Sequence, residues 1–524
     1  MSDQNDMIRL PGSAFPAIVG AIPVGGRVAD RIIDVSIWLR RRPSAKPLPD
    51  VETADFKPLT HKDFAEGWGA SKEDAEHVLQ YLKGVDDRIK QLPDTPSSPM
   101  LARRLVTVRG PLGAFARAFD ATVQAVRLSD GRIVLERTGT IAVPKSLQGV
   151  VLSVFGLDTR PIGSPVRTPV ADKAMLVSAE ALPTPPQIAE LYEFPKPPDT
   201  TKGEVIALMH FGGGYDEAHT TKYFDDLGVQ HPTLVDVPVL TGGNSPGSIY
   251  DKEVTLDIEV AGSVAEEATL VNYFAPHDEN GWMNAISTVV QDMENCPSVM
   301  SISWGAAELG KSNTLIWTAD GMQFMSEQFA DAAELGITVL AAAGNHGSDC
   351  KMGYWKAHVN YPASDPNVLA CGGTMIADFA NKPNEEIAWE FGGGGISDVY
   401  PVPAYQNADD LPMSRNTMGK ARGVPDIAGY ASPGYLFWIG YPEVLQGTSL
   451  VAPLYAAAVA RRNKKVGSRA GFLHPTLYAN SALFRDIDDP VSNSTSNEFN
   501  GAPGYYGRTG WDARTGLGVL EPGA

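Results

Sequence analysis

From residue 204 onward the chain alternates short apolar runs with amphipathic ones, and this alternation constrains the fold more than any other feature. Residues 204–211, 233–239, 269–274, 299–303 and 337–342 have the length and apolar character of strands. Residues 217–227, 252–264, 282–293 and 315–335 between them carry helical signals. Apolar strands returning through helices predict an α/β unit with a largely parallel sheet, covered by helices on both faces. Ligand sites in such sheets lie at the carboxyl ends of the strands. Those ends carry His210, Ser303-Trp304-Gly305 and Gly344-Asn345-His346.

The front of the chain has another texture. Residues 1–25 read as a loose arm, and 31–39 as a strand. Helices are expected to open at Thr60 and Ser71, with Ser71 as N-cap and Asp74 at the capping-box position. Strands over 101–109 and 122–128 flank a helix over 112–119. Ser129-Asp130-Gly131 then turns a hairpin into 133–138, and 144–154 gives a last short helix and strand. The expectation is an α+β domain over 1–160, a Pro-rich linker over 161–186, and the α/β domain over 187–524.

The net charge of −19 is unevenly placed. Residues 1–174 carry 24 Lys+Arg and 20 Asp+Glu, net +4, leaving 19 and 42, net −23, for the other 350 residues. The split suggests electrostatic docking of front on back that weakens as acids protonate, with solubility as the alternative. It argues against nucleic acid as a partner of the larger part. No apolar run is long enough to span a bilayer, so no membrane association is expected. The N-terminal Met1-Ser-Asp-Gln-Asn-Asp lacks a secretory n-region. Cys296, Cys350 and Cys371 permit at most one disulfide and show no metal spacing.

The candidate chemistry centres on Gly447-Thr-Ser-Leu-Val-Ala-Pro453, which opens a small apolar run expected to be a buried helix. A serine there has unpaired N–H groups and the positive end of the helix dipole beside its hydroxyl. Thr448 or Ser449 acting as a plain N-cap is the alternative. With Ala-Pro following, the block resembles the nucleophile motif of the subtilisin-like fold. A serine hydroxyl needs a base, and the His-Gly-Thr-His motif of subtilisins is absent from this sequence. Instead Glu253 and Asp257, at i and i+4, share a helical face that continues through Val260, Ala261 and Val264. Burial and mutual repulsion make a shared proton plausible there. Glu259, Glu266 and Glu267 nearby are expected to be solvated.

The segment 251–262 resembles the Glu-x-x-x-Asp motif of the sedolisins, the serine-carboxyl peptidases, in their kumamolisin-like form. Ser301-Ile-Ser-Trp-Gly305, the Ala-Ala-Ala-Gly ending at Gly344, Cys371-Gly-Gly-Thr374, Val424-Pro-Asp-Ile-Ala-Gly429 and Gly510-Trp-Asp-Ala-Arg-Thr-Gly516 are similar to family segments in the same order. Leu59-Thr-His-Lys-Asp-Phe-Ala65, Val143-Pro-Lys-Ser-Leu147 and Val154-Phe-Gly-Leu-Asp-Thr-Arg-Pro161 look like the family's activation propeptide.

The resemblance implies a subtilisin-like catalytic domain behind a ferredoxin-like prodomain. It implies a secreted, monomeric zymogen whose propeptide inhibits it intramolecularly and whose substrates are peptides and proteins. Ser449 would attack the scissile carbonyl, Glu253 would be general base then acid, and Asp257 would hold Glu253. Ser303, Trp304 and Gly305 would line the substrate main chain, with Trp304 also near the carboxylates. It further implies one structural Ca²⁺ held by Asp486, Asp512 and the carbonyls of Ile487, Arg508 and Gly510; Arg508 replaces a family glycine. Two departures stand out. Asn345 occupies the place of the family's oxyanion aspartate and matches the subtilisin asparagine, whose neutral amide donates at any pH. His210 replaces a glutamate of the carboxylate network; it could pair with Glu253 or Asp257, serve as base itself, or be merely buried. A catalytically impaired binding protein is the reading from another class.

Overall fold

The computed structural model describes residues 6–521 apart from 27, 54, 55, 96, 167, 170–181, 198, 311–315 and 354, with the side chains of 168 and 169 also left out. The N-terminal part contains two four-stranded antiparallel sheets. One runs Met7–Phe15, Ile133–Pro144, Thr122–Arg127, Ile22–Pro23; the other runs Lys90–Gln91, Leu105–Pro111, Ile32–Leu39, Val151–Phe155. Val35, Ile37, Val106, Val108, Phe115, Leu135 and Val154 form its core. The expected loose arm is therefore a strand, paired from Met7↔Pro144 to Leu10↔Ile141. Pro11 and Gly12 break its alternation where the register shifts between Leu10 and Phe15, which hides the strand from a periodicity argument. The caps form as expected: Thr60 accepts from Asp63 N, and Ser71 accepts from Asp74 N. Asp74 does not close the capping box; its carboxylate is taken by Arg40 at 2.8 and 3.0 Å.

The C-terminal part is built on one large sheet ordered Thr233–Pro238, Thr269–Phe274, Val205–His210, Val299–Ile302, Thr338–Ala342, Leu369–Ile376, Ile427–Ser432, Val519–Leu520, Phe484–Arg485. Every neighbour pair down to Val519–Leu520 is parallel. Chain order reverses around Val205–His210, so a crevice opens at the carboxyl ends of that strand and of Val299–Ile302. The helices Asp251–Val264 and Val451–Val466 cover one face through Leu256, Val260, Leu454 and Ala457. The helices Glu279–Val290 and Ala319–Glu334 cover the other through Trp282, Ile286, Phe324 and Phe329. Thr318 caps the latter by accepting from Gly321 N. The helix Val451–Val466 is alanine-rich and ends where Gly467 takes a left-handed φ of 76°.

The N-terminal part docks on the second pair of helices. Trp38 and Phe155 meet Phe324 with ring centroids 5.3 and 5.9 Å apart. The charge split becomes specific pairs: Arg41 with Asp331 at 2.6 Å and Arg104 with Glu327 at 2.7 Å. The expected weakening in acid does not follow from every such group. Burial raises Asp331, against the opposing effect of Arg41, and also raises Asp320, which accepts from Ser153 Oγ at 2.7 Å. A carboxyl raised in the docked state binds its proton more readily there, so these two favour docking as pH falls. Glu327→Ala should leave the Arg104 side chain, 1% exposed, without its carboxylate. The expected cost is about 2 kcal/mol of docking, measured as a rise of roughly 30-fold in the inhibition constant of a separately added N-terminal fragment.

Candidate active site

The segment 447–453 folds as a tight turn into a helix. Gly447 at φ 140° makes a bend that a side chain would strain. Thr448–Leu450 form a 3-10 turn, and the helix follows from Val451. Neither Thr448 nor Ser449 makes a side-chain cap, so the capping alternative falls. Ser449 is fully buried, and its Oγ donates to the carbonyl of Val166. Ser449 N donates to that same oxygen at 3.2 Å, and Asn345 Nδ2 donates to it at 2.6 Å. Three donors thus converge on one carbonyl.

Asn345 is held for this task by Thr448, a contribution that sequence reasoning reduced to a cap. Thr448 N donates to Asn345 Oδ1 at 2.8 Å, and Thr448 Oγ1 lies at the same distance. With its oxygen engaged, the amide can present only N–H to Val166. Asn345 is not among the residues of positive φ, so it is not there to tolerate a left-handed backbone.

Val166 belongs to the expected linker, whose described residues 164–166 lie extended across the crevice. Ser164 and Pro165 pair antiparallel with Gly305 and Trp304, and Val166 N donates to Ser303 O at 2.9 Å. Beyond residue 167, Thr168–Pro169 pair antiparallel with Gln446 and Leu445. Ser303, Trp304 and Gly305 thus pair with the main chain of this protein's own segment 164–166. The Trp304 ring packs among Phe211, Tyr250 and His277; Tyr250 immediately precedes the helix that carries Glu253. A cavity of about 140 Å³ remains beside Val166, bordered by Gly305, Gly344, Lys351 and Asn360.

Glu253 and Asp257 are 0% and 1% exposed. Asp257 Oδ1 accepts from Ser303 Oγ at 2.6 Å, which lies 3.3 Å from Ser449 O. Burial, then the neighbouring Glu253 charge, raises the Asp257 carboxyl well above its ordinary range, against the Ser303 hydrogen bond. Asp257 Oδ2 faces His210 Nδ1 at 3.8 Å. Burial lowers His210 to about 4, so the ring is neutral over most of the acid range and does not charge near 6.5. Its polar neighbours are Asp257 and Asn272. Glu259 contradicts the expectation of solvation: it is 0% exposed, accepts from Trp438 N at 3.2 Å, and is raised by burial. The hairpin Tyr435–Trp438/Pro442–Gln446, which the sequence leaves irregular, closes over it. Glu266 and Glu267 are half-buried.

The two C-terminal acidic loops meet. Gly510 N donates to Asp486 Oδ2 at 2.6 Å, and Asp512 Oδ2 accepts from Arg508 N at 3.2 Å. Asp486 Oδ1 is buried with no hydrogen-bond partner, and burial, reinforced by Asp488, raises that carboxyl. An orphaned anionic oxygen beside looped carbonyls fits a hard cation. Among the described residues no three His, Cys, Asp or Glu side chains converge, so an ion here would rely on two carboxylates and main-chain oxygens. The Arg508 guanidinium turns away onto the carbonyls of Trp511 and Asp410. All three cysteines are free thiols. Among the described residues no helix is long and apolar enough to cross a membrane.

Comparison with known proteins places this geometry. Residues 48–160 match the pro-kumamolisin activation domain, and residues 216–468 match the subtilase family, Peptidase S8. The chain is 36% identical to kumamolisin of Bacillus sp. (strain MN-32), covering 97% of this chain and 94% of that one. It is 25% identical to tripeptidyl-peptidase sed5 of Aspergillus fumigatus, over 98% and 96% of the two chains. The solved structure of Pseudomonas sedolisin, a serine-carboxyl proteinase complexed with two molecules of pseudo-iodotyrostatin, superposes with a TM-score of 0.54 at 24% identity, covering 64% of this chain and 95% of that one.

Proposed function

Because the chain belongs to the sedolisin family of serine-carboxyl peptidases and carries its kumamolisin-type activation domain, we propose that it is the zymogen of an endopeptidase with Ser449 as nucleophile and Glu253 as general base. The observation that carries this is the Val166 carbonyl, gripped by Ser449 Oγ, Ser449 N and Asn345 Nδ2. A peptide carbonyl so held stands where a tetrahedral oxyanion would form. Ser449 Oγ bonds to the carbonyl carbon while its proton passes to Glu253. The oxyanion is held by the Asn345 amide and the Ser449 N–H. Collapse breaks the C–N bond, and Glu253 returns the proton to the leaving amine. Water then hydrolyses the acyl-enzyme, again with Glu253 as base. Asp257 keeps Glu253 in place and is itself held by Ser303. The bound chain pairs on both sides of Val166, as an endopeptidase cleft requires.

This reading makes the N-terminal part the chain's own inhibitor and names the first bond cut, Val166–Arg167. Purified zymogen incubated over a range of pH should release a fragment beginning at Arg167, and Ser449→Ala should stay intact. Cutting of Ser449→Ala at the same bond and rate removes Ser449 as nucleophile. A later cut near Ser178 falls outside the described residues.

A Ca²⁺ ion held by Asp486, Asp512 and the carbonyls of Ile487, Arg508 and Gly510 would cross-link the two loops. An ion bound only in the native state at 100 to 1,000 times its Kd adds about 3–4 kcal/mol. Chelation, and Asp512→Ala without chelator, should lower Tm alike. Unchanged Tm in both removes the ion.

A further inference from the structure

The polar chain behind the acid pair continues past His210 to the surface. His210 Nε2 lies 3.2 Å from Asn272 Oδ1, and Asn272 Nδ2 donates to Asp236 Oδ1 at 3.1 Å. Asp236 also accepts from Tyr215 Oη and Asn244 Nδ2, each at 3.1 Å. The three strands make this alignment. Asn272 is in register with Leu208 on one side and Asp236 on the other, and His210 is two residues beyond Leu208, so all three side chains share one face. Asp236 is exposed, whereas Asn272 and His210 are fully buried.

The chain has a direction. Asn272 turns its N–H to Asp236 Oδ1, which leaves its carbonyl oxygen toward His210. A carbonyl can only accept, so His210 Nε2 must carry the ring proton. The neutral ring then has a lone pair at Nδ1. That atom is buried without a hydrogen-bond partner and faces Asp257 Oδ2. His210 is faced by Asp257 from the helix, with the Glu253 charge acting on Asp257 behind it, by Asp236 through Asn272 with Tyr215 beyond, and by the Phe274 ring at 5.1 Å.

We propose that Asp236 and Asn272 are positioning residues that lock His210 in its Nε2–H tautomer, and that the lone pair they aim at Asp257 keeps the single proton of the Glu253/Asp257 pair on Asp257. The inference rests on the reading of Glu253 as base. A lone pair beside Asp257 favours its neutral form; an N–H there would favour the carboxylate. Two adjacent buried carboxylates cannot both ionise cheaply, so a proton fixed on Asp257 leaves the negative charge on Glu253, where it can accept from Ser449. Ionisation of Asp257 then sets the alkaline limb of activity.

The test uses the processed enzyme. The imidazole nitrogen chemical shifts of ¹⁵N-histidine-labelled protein report the His210 tautomer without turnover, and the pH profile of kcat/KM reports its consequence. Asp236 is exposed, so Asp236→Ala should fold. It frees the Asn272 amide to turn, His210 moves to Nδ1–H, and the alkaline limb falls by about one pH unit, with KM little changed. Asp236→Asn retains an acceptor oxygen and should restore both readouts. An Nδ1–H tautomer in the parent overturns the proposal, as does an Asp236→Ala profile that overlays the parent's. Because the tautomer is read without catalysis, these outcomes are distinct from failure of the Glu253 assignment.

Discussion

Glu253→Gln should leave a folded protein that cuts neither its own linker nor an added peptide at a measurable fraction of the parent rate. The substitution keeps volume and shape at a site with no exposed surface, so loss of the fold is not the expected route. What it removes is the ability to accept a proton. Loss of one essential member of a serine peptidase catalytic set lowers kcat by roughly 10⁴–10⁶, about 5–8 kcal/mol of transition-state stabilisation. His210→Ala is the informative companion. His210 touches Asp257 and Asn272, and it is neutral above about pH 4. Its loss should disturb the acid pair without removing the base, so the fall in rate should be far smaller than for Glu253→Gln. Single-turnover rates on one fluorogenic peptide decide the ranking. If His210→Ala falls as far as Glu253→Gln is expected to, and Glu253→Gln does not, the histidine is the base. If neither variant nor parent turns over while all bind peptide, the protein is a binding module.

The candidate residues are legible in the sequence because they sit in short contiguous motifs. Ser449 stands before a small apolar helix, and Glu253 and Asp257 stand one turn apart on a face completed by Val260 and Ala261. The parallel sheet was legible for a similar reason, since strands buried on both faces read as uniform apolar runs. What escaped was set by tertiary neighbours. Glu259 looks like any acidic helix residue until the hairpin from Tyr435 closes over it and Trp438 N finds its carboxylate. Thr448 looks like a cap until Asn345, far away in sequence, is placed against it. Asn272 and Asp236 carry no motif; only strand register aligns them with His210. The linker, read as spacer from its prolines, forms the backbone pairing that marks the cleft. The environment of His210 is likewise invisible in the sequence: full burial between strands lowers it to about 4.

Asn345 provides the second large effect. Its Nδ2 lies 2.6 Å from the Val166 carbonyl oxygen, and Thr448 fixes its orientation. The contact should strengthen as the carbonyl becomes an oxyanion, which is what makes a donor catalytic rather than merely adhesive. Asn345→Ala should therefore lower kcat by about 10²–10³ with little change in KM; the magnitude is that of the corresponding asparagine in subtilisin. The pH dependence would distinguish an amide from an aspartate at this place. An amide donates in the same form at every working pH. An aspartate donates only while protonated, and once ionised it repels the oxyanion. Asn345→Asp should therefore retain activity in acid and lose it as pH rises through the pKa of the new carboxyl, while the parent stays active until its own acid pair loses its proton. On the acid side both proteins should fall together, because protonation of Glu253 disables both. The measurement is kcat/KM against pH for the two proteins with one peptide in one series of buffers. Separation of the alkaline limbs with coincident acid limbs is the expected result. Profiles that overlay throughout would mean that Ser449 N and the remaining backbone hold the oxyanion without Asn345.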